Sequence, residues 1–537
     1  MPRRIALLVL LLVSLPFLSA LLAAGSEYRF GGFLLNPIDA NSYLAKMYQG
    51  WRGDWRFTPP FSADSGKGAY LFTFYLLLGH LARLAALPLI GVFHASRLLS
   101  AAFLLWALWR FLKLLHRNNR HISLLFALAS LGLGMGWLVF PAGVVTSDFW
   151  VAEAYTFLSA YTTPHFALSL ALLIWMLTFE PPVDEEKNRS LAGNWGRLFM
   201  TAIASIALAS LSPFALALGL EVLGVLLIWQ IIEAWISVRQ AADSRVQQFV
   251  RLLRSDGDFR QVLLRFSIMF ISGGPVLFYE LWAVRADPIL AAWNSQNLTP
   301  APPLWDLLLA FSPALVLSFI GGWYVLRREV RPGRISFIWA LISLVMVILP
   351  FGLQRRFLIG LSVPLVALAG FGLEWLEERR FRFINATVVL ALALPSMALV
   401  LLVGQFGAWS RDPLLYLTRG EAQGLEWLEA NTDLHALVLA SPQTGLFIPA
   451  HTGRRVLYGH PFETVNAQAE KAAVTDFFTH LAQDPAAARD FLSEREVDIV
   501  FYGPRERLLG PPPDTAGSGL ELAYSASGVS IYEFSVP

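Results

Sequence analysis

Long apolar stretches broken by short polar connections dominate the chain from Ile5 to about Phe406. Each is long enough to cross a hydrocarbon core of about 30 Å as a helix. The pattern predicts spans over residues 5–24, 95–113, 121–140, 161–179, 198–211, 214–236, 263–284, 304–326, 335–350, 358–376 and 384–406. Beyond 406 the pattern changes. "TRGEAQGLEWLEANT" predicts an amphipathic helix, and "HALVLASPQTG", "RRVLYGH" and "VDIVFYG" predict strands. "NAQAEKAAVTDFFTHLAQ" and "PAAARDFLSE" predict helices, and "LELAYSASGVSIYEF" a closing hairpin. Strands alternating with helices make a small α/β domain. The chain therefore reads as an α-helical polytopic membrane protein. A transmembrane module of about 11 helices occupies residues 1–406, with further juxtamembrane helices at its outer face. An extracytoplasmic α/β domain occupies residues 407–537.

Lys and Arg set the orientation. With the N-terminus inside, "KLLHRNNRH", "DEEKNRSLAGNWGR", residues 237–262, "RREVRPGR" and "EERRFR" all fall inside, as the positive-inside rule asks. Eleven spans then leave the C-terminal segment outside. This requires that "AYLFTFYLLLGHLARLAALPL" (69–89) not span, and His80, Arg83 and Pro88 agree with that. The apolar run behind "MPRR" exceeds a signal-peptide core of about 7–15 residues, so it reads as an uncleaved first span. In "LASLSPFALALG", Pro213 ends one helix and starts the next. Residues 237–262 alternate arginines with Val246, Phe249, Val250 and Leu253, which reads as an amphipathic anchor on the inner leaflet.

Composition sharpens the class. Of 537 residues, 56% are hydrophobic and 15% charged, against about 25% charged in soluble chains. The net charge of +2, with no basic patch, argues against nucleic acid as a partner. No cysteine is present, so disulfide and thiol chemistry are excluded, although that does not fix the compartment. The C-terminal segment carries no G-x-G-x-x-G or Walker sequence.

Chemistry belongs in the outer segments: 25–94, the first and largest loop, then 141–160, 285–303, 351–357 and 407–537. Asp39 and Lys46 lie in the first, Asp148 and Glu153 in the second, and His165 opens the span at 161. A single rim acid is more often a solvated loop charge. Acids near helix ends in two loops above an apolar bundle suit glycosyl transfer, where a carboxylate takes the acceptor's proton as positive charge grows on the sugar. "LPFGLQRRFLIGLSVP" places Gln354, Arg355 and Arg356 at an outer helix end, against the charge trend. The plain reading is a headgroup contact. The functional one is a phosphate site, since guanidinium forks bind phosphate bidentately and favour its departure. Arg97 in "FHASRLLSA" is a second rim arginine, and Glu280 a candidate near the outer end of its span. In "HTGRRVLYGHPFET", Arg454, Arg455, His460 and Glu463 match no strong metal motif and read as structural or acceptor-contacting.

A short inner N-terminus, span one, a long outer loop with the early Asp39, an apolar outer-face helix and "RLLS" opening span two together resemble the GT-C superfamily of integral-membrane glycosyltransferases. That superfamily includes protein O-mannosyltransferases and aminoarabinose transferases. The resemblance covers the layout of residues 1–406. It implies a polyprenyl-phosphate sugar donor, an unknown acceptor, membrane lipids as surroundings, an inverting mechanism and a place in the bacterial cytoplasmic membrane. It maps the base onto Asp39 and a second acid onto Asp148 or Glu153. "NPIDANSYLAKM" lacks the doubled acid of many members, so no cofactor is assigned and a divalent metal stays open. "LSPF" has Ser212 where bacterial members carry the His of "HPF". Two other classes compete. A lipid-linked-glycan transporter calls for inverted repeats and midplane polar residues; no clear repeat is seen, and Glu221 and Glu280 are the exceptions among nearly charge-free spans. A non-enzymatic scaffold presenting the outer domain has no need of Asp39 or Arg356.

Overall fold

The computed structural model describes residues 2–116, 121–178, 191–239, 256–379 and 386–535. Most of the predicted inner-leaflet helix 237–262, and parts of the inner connections at 116–121, 179–190 and 380–385, lie outside the described residues. Helices occur in every predicted apolar stretch. Among the described residues, six helices are long and apolar enough to cross a membrane, or seven if one bent pair is a single span. The first is the 22-residue stretch Pro2–Ala23, made of α1 (Pro2–Leu12) and α2 (Leu15–Ala23). The protein is thus a mostly helical membrane protein with a small C-terminal sheet region.

Several predicted spans are shorter or broken, for local reasons. The stretch 121–140 is α-helical only over Ile122–Leu131, with a short 3-10 turn at Gly136–Leu138. Between the two the backbone packs too closely for side chains: a Cβ on Gly134 would sit 1.8 Å from the Ala310 carbonyl oxygen. The stretch 304–326 bends by 83° between Leu304–Phe311 and Ala314–Arg327, and 161–179 breaks ahead of Pro164. Pro213 does open a new helix, Pro213–Arg239, directly after Leu191–Leu211, with the Ser212 hydroxyl accepting from the Ala215 amide at 3.3 Å.

The chain folds as two compact units. The first comprises residues 1–14, 96–279 and 299–402. Its helices approach through small residues, as membrane helices do. A Cβ on Gly321 would lie 1.8 Å from the Leu368 carbonyl oxygen, so helix Ala314–Arg327 rests backbone to backbone on Ser362–Glu378.

The second unit comprises residues 15–95, 280–298 and 403–537. After β1 (Tyr28–Phe30), α3 (Pro37–Arg52) starts at a left-handed Asn36 with Pro37 in its first turn. α4 (Thr73–Ala85) has 13 residues, about 20 Å, too short to cross the hydrocarbon core, in line with the non-spanning expectation for 69–89. It lies against α3 through glycines of both helices. A Cβ on Gly50 would meet the Leu76 carbonyl oxygen at 2.0 Å, and one on Gly79 the Met47 carbonyl oxygen at 1.9 Å.

β1 pairs antiparallel with β2 (Tyr416–Thr418), which ties the first loop to the C-terminal segment. The remaining strands are β3 (Leu437–Leu439), β4 (Arg455–Val456), β5 (Ile499–Tyr502), β6 (Leu520–Ala526) and β7 (Val529–Phe534). They form one sheet in the order β4-β3-β5-β7-β6. β3 is parallel to β4 and β5; β7 is antiparallel to β5 and β6. Each predicted C-terminal strand and helix is present. Period-two alternation loads both faces. Val438, Phe501 and Ile531 pack with Leu425 and Leu428 of helix Arg419–Asn431, while Leu437, Leu439 and Val500 pack with Phe477, Phe478 and Leu492. That helix opens with a Thr418–Glu421 capping box.

Overpacking of the α3–α4 crossing is the expected weak point. Gly79→Val will destabilise by about 1–3 kcal/mol or more, read as a lower midpoint of thermal unfolding in detergent. Gly91→Ala, with nothing within 4 Å of its Cβ, will leave the midpoint unchanged.

Candidate functional site

One face of α3 carries the polar side chains. Asp39, Ser42 and Lys46 stand at i, i+3 and i+7, which places them in a row along the helix. The Asp39 side chain is 52% exposed at the head of the row, whereas that of Lys46 is 0% exposed at its foot. Lys46 Nζ donates to Glu463 Oε1 at 2.6 Å and to Ser42 Oγ at 3.0 Å, and Ser42 Oγ donates to the same Glu463 oxygen at 2.8 Å. The ammonium also lies 4.3 Å from the Phe72 ring centroid, with the Tyr43 and Phe57 rings near. Burial lowers the Lys46 pKa, opposed by Glu463 and Asp39. Burial alone would raise Glu463; Lys46 and the Ser42 hydrogen bond outweigh it and hold the carboxyl below the usual carboxylate range.

Glu463 arrives on the turn 459–464. Gly459 and Gly445 pack back to back: a Cβ on either would lie within 2.3 Å of the facing carbonyl oxygen. Thr464 Oγ1 accepts from the Gly459 and His460 amides, and the Thr464 amide donates to the His460 carbonyl at 3.1 Å. The turn aims His460 at the head of α3. His460 is 1% exposed, and its Nε2 lies 3.4 Å from Asp39 Oδ1. The structure thus brings together Asp39, Lys46, His460 and Glu463. Arg454 instead donates to the Glu429 and Thr432 carbonyls at a helix end, and Arg455 to those of Ala63 and His435.

The first unit holds the other candidates. Asp148 is fully buried. Its Oδ2 accepts from the Gly136 amide at 3.1 Å and its Oδ1 from Thr146 Oγ1 at 2.5 Å. Burial pushes its carboxyl up, with those hydrogen bonds opposing. Glu153, also buried, has its Oε1 4.0 Å from Arg355 Nε and 3.9 Å from an Arg356 terminal nitrogen. Arg355 lies 5.0 Å from the Trp150 ring centroid, and Gln354 Oε1 is buried without a hydrogen bond. Arg97, expected at an open rim, is buried instead. One terminal nitrogen donates to the carbonyls of Val13 at 2.9 Å, Ala160 at 3.0 Å and Tyr161 at 3.4 Å. His165, half-buried, packs on Phe166 at the start of helix Pro164–Leu177. Glu280, in the second unit, is half-buried on helix Gly274–Ala286. Among the described residues no group of three or more His, Asp and Glu side chains is placed to hold a metal ion.

Sequence reading missed the pairing of His460 and Glu463 with α3. The helical spacing 39-42-46 carried part of the signal, a polar row on an otherwise packed helix. The partner turn lies more than 400 residues away, and nothing local announces it.

No protein-family model matches the chain, and no curated protein matches it. Several solved structures are similar to it. Archaeal oligosaccharyltransferase AglB from Archaeoglobus fulgidus, in complex with an inhibitory peptide and a dolichol-phosphate, is 12% identical with a TM-score of 0.49; the match covers 99% of this chain and 75% of that one. ArnT from Cupriavidus metallidurans in the apo state is 13% identical with a TM-score of 0.46, covering 98% of this chain and 97% of that one. The arabinofuranosyltransferase AftD from mycobacteria is 14% identical with a TM-score of 0.46, covering 100% of this chain and 40% of that one.

Removing one partner of the buried pair exposes its cost. Lys46→Met will destabilise by about 3–5 kcal/mol, because Glu463 stays buried without its counter-charge. The double variant Lys46→Met with Glu463→Leu will recover much of that loss in thermal unfolding. The folded-state pKa of Glu463 lies below its unfolded value, so its contribution is present above about pH 4.3 and is lost as pH falls through the folded pKa. Glu463→Gln will flatten that acid limb of the stability profile.

Proposed function

We propose that the chain is a membrane glycosyltransferase that moves a sugar from a polyprenyl-phosphate donor to an acceptor at the outer face of the cytoplasmic membrane, with inversion and with Asp39 as general base. One observation carries the reading. Asp39 is the exposed member of a polar row whose other side chains are buried and bonded to one another. A carboxylate held at the edge of a buried network, on a helix too polar to span, suits a base that must meet a substrate from outside.

The acceptor hydroxyl gives its proton to Asp39 as its oxygen bonds the anomeric carbon, and the carbon–oxygen bond to phosphate breaks with its electron pair leaving on the polyprenyl phosphate. Attack from the face opposite the phosphate inverts the centre. Within the first unit, the Arg355 and Arg356 guanidiniums are the proposed phosphate site; both lie 3.9–4.0 Å from the buried Glu153 carboxylate. Glu153 is then the residue that positions them, and Asp148 holds the Gly136 backbone. No step is routed through a metal, for which the described residues gather no donor set.

Purified protein in nanodiscs, given radiolabelled polyprenyl-phosphate sugars and candidate acceptors, tests this. Asp39→Asn is expected to lower transfer by about 10²–10⁴-fold while donor binding persists. Arg355→Ala with Arg356→Ala is expected to weaken donor binding. Transfer by Asp39→Asn at the wild-type rate excludes the base assignment, and donor binding unchanged in the arginine variant excludes the phosphate assignment.

A further inference from the structure

His460 occupies a different part of the chain from Asp39, and its chemistry is already fixed before any substrate arrives. Its Nδ1 accepts from two backbone amides, those of Phe462 and Glu463, both at 3.1 Å. An imidazole nitrogen that accepts bears no proton, so the neutral ring carries its proton on Nε2. That nitrogen is buried, makes no hydrogen bond of good geometry, and lies 3.4 Å from Asp39 Oδ1. A buried N–H without an acceptor is unfavourable, so a contact that completes it is favoured. Catalytic contacts are often long before substrate binds and shorten with it.

We infer that His460 is the positioning residue of the Asp39 base: its Nε2–H holds the carboxylate at Oδ1. The inference rests on the reading of Asp39 as base. It explains why the turn is over-determined. Thr464 ties down the His460 amide and carbonyl, Gly445 and Gly459 lock the approach, and the Phe61 ring stands 5.6 Å from the imidazole. The charged groups that share the cluster are Lys46 and Glu463, and they are tied to each other at 2.6 Å. Glu463 Oε1 takes Lys46 and Ser42 while its Oε2 is buried without a hydrogen bond, and Asp39 Oδ1 is the carboxylate oxygen 3.4 Å from the imidazole Nε2.

In the transfer step the ring keeps its proton. The acceptor O–H breaks and the proton goes to the Asp39 oxygen not held by His460. The new oxygen–carbon bond forms as the phosphate leaves, and Asp39 later returns its proton to water. A hydrogen bond to the charged carboxylate favours the charged form, so Asp39 stays a base to lower pH with His460 than without it.

Two substitutions separate the two ring nitrogens. His460→Asn keeps an acceptor near Nδ1 for the two amides but has nothing at Nε2. His460→Gln brings an amide N–H toward the Nε2 position. The expected result for His460→Asn is a kcat lowered about 10–100-fold at unchanged KM for the donor, with the acid limb of the rate profile moved up by about one pH unit. His460→Gln is expected to regain part of the rate and of the shift. A 13C titration of the Asp39 carboxyl, assigned by difference from Asp39→Asn, reads the same pKa rise without turnover and serves if activity is too low. An unmoved rate, pH limb and carboxyl titration in His460→Asn, beside an inactive Asp39→Asn, overturns the role of His460 and leaves the base. Full transfer by Asp39→Asn overturns the base reading, and this inference with it.

Discussion

The pair between Lys46 and Glu463 constrains everything around it. Taking an ammonium and a carboxylate out of water costs several kcal/mol each, recovered only when geometry and hydrogen bonds are close to ideal. Here both are met: a 2.6 Å contact, Ser42 bridging to the same oxygen, and aromatic rings around the ammonium. The pair tolerates little movement. It therefore fixes the register of α3 against the turn 459–464. Glycines set the other side of α3, since Gly50 and Gly79 bring α4 to backbone contact. With α3 clamped on two sides, the head of its polar row is also fixed, and Asp39 and His460 stay within 3.4 Å. The network thus spends its stability on the placement of one exposed carboxylate.

The first unit treats its charges in two ways. Arg97 and Asp148 are neutralised by backbone: the guanidinium faces three carbonyls, and the carboxylate takes an amide and a hydroxyl. Groups satisfied so completely have little left for a ligand, and removing either would strand buried backbone groups. Glu153, Arg355 and Arg356 differ. Their ion-pair distances of 3.9–4.0 Å are long, and Glu153 Oε1 and Gln354 Oε1 are buried without hydrogen bonds. A buried acceptor in that condition carries a penalty that a hydrogen-bond donor such as a hydroxyl relieves.

Fold class was legible because its signals are local. Apolar length marks a span, and the C-terminal strands alternate with period two, as Leu437, Val438 and Leu439 do across two cores. Pro213 marked its own helix start. What misled was also local. Residues 121–140 have enough apolar length for a span, but their helix ends at Leu131, where backbone meets backbone at Gly134. Hydropathy does not register the absence of a side chain. Arg97 was misplaced at an open rim because a lone arginine looks the same whether it meets phosphate or carbonyls. The site split in the same way: Asp39 could be picked out from its position after a span, whereas His460 and Glu463 could not be joined to it without the fold.

The distance in sequence between Asp39 and His460 has a consequence of its own. Closing a loop of some 400 residues costs about 3 kcal/mol more than closing one of about ten, since the penalty grows with the logarithm of length. A remote contact therefore has to be supported by rigid elements that present both ends. Those elements exist here: α3 on one side and a glycine-locked turn beside a five-stranded sheet on the other. The Asp39 carboxylate then has one flank against a buried imidazole and the other open to solvent. The placement of Asp39 against His460 is thus conditional on the C-terminal segment being folded, which gives that segment a physical role that its sheet alone does not reveal.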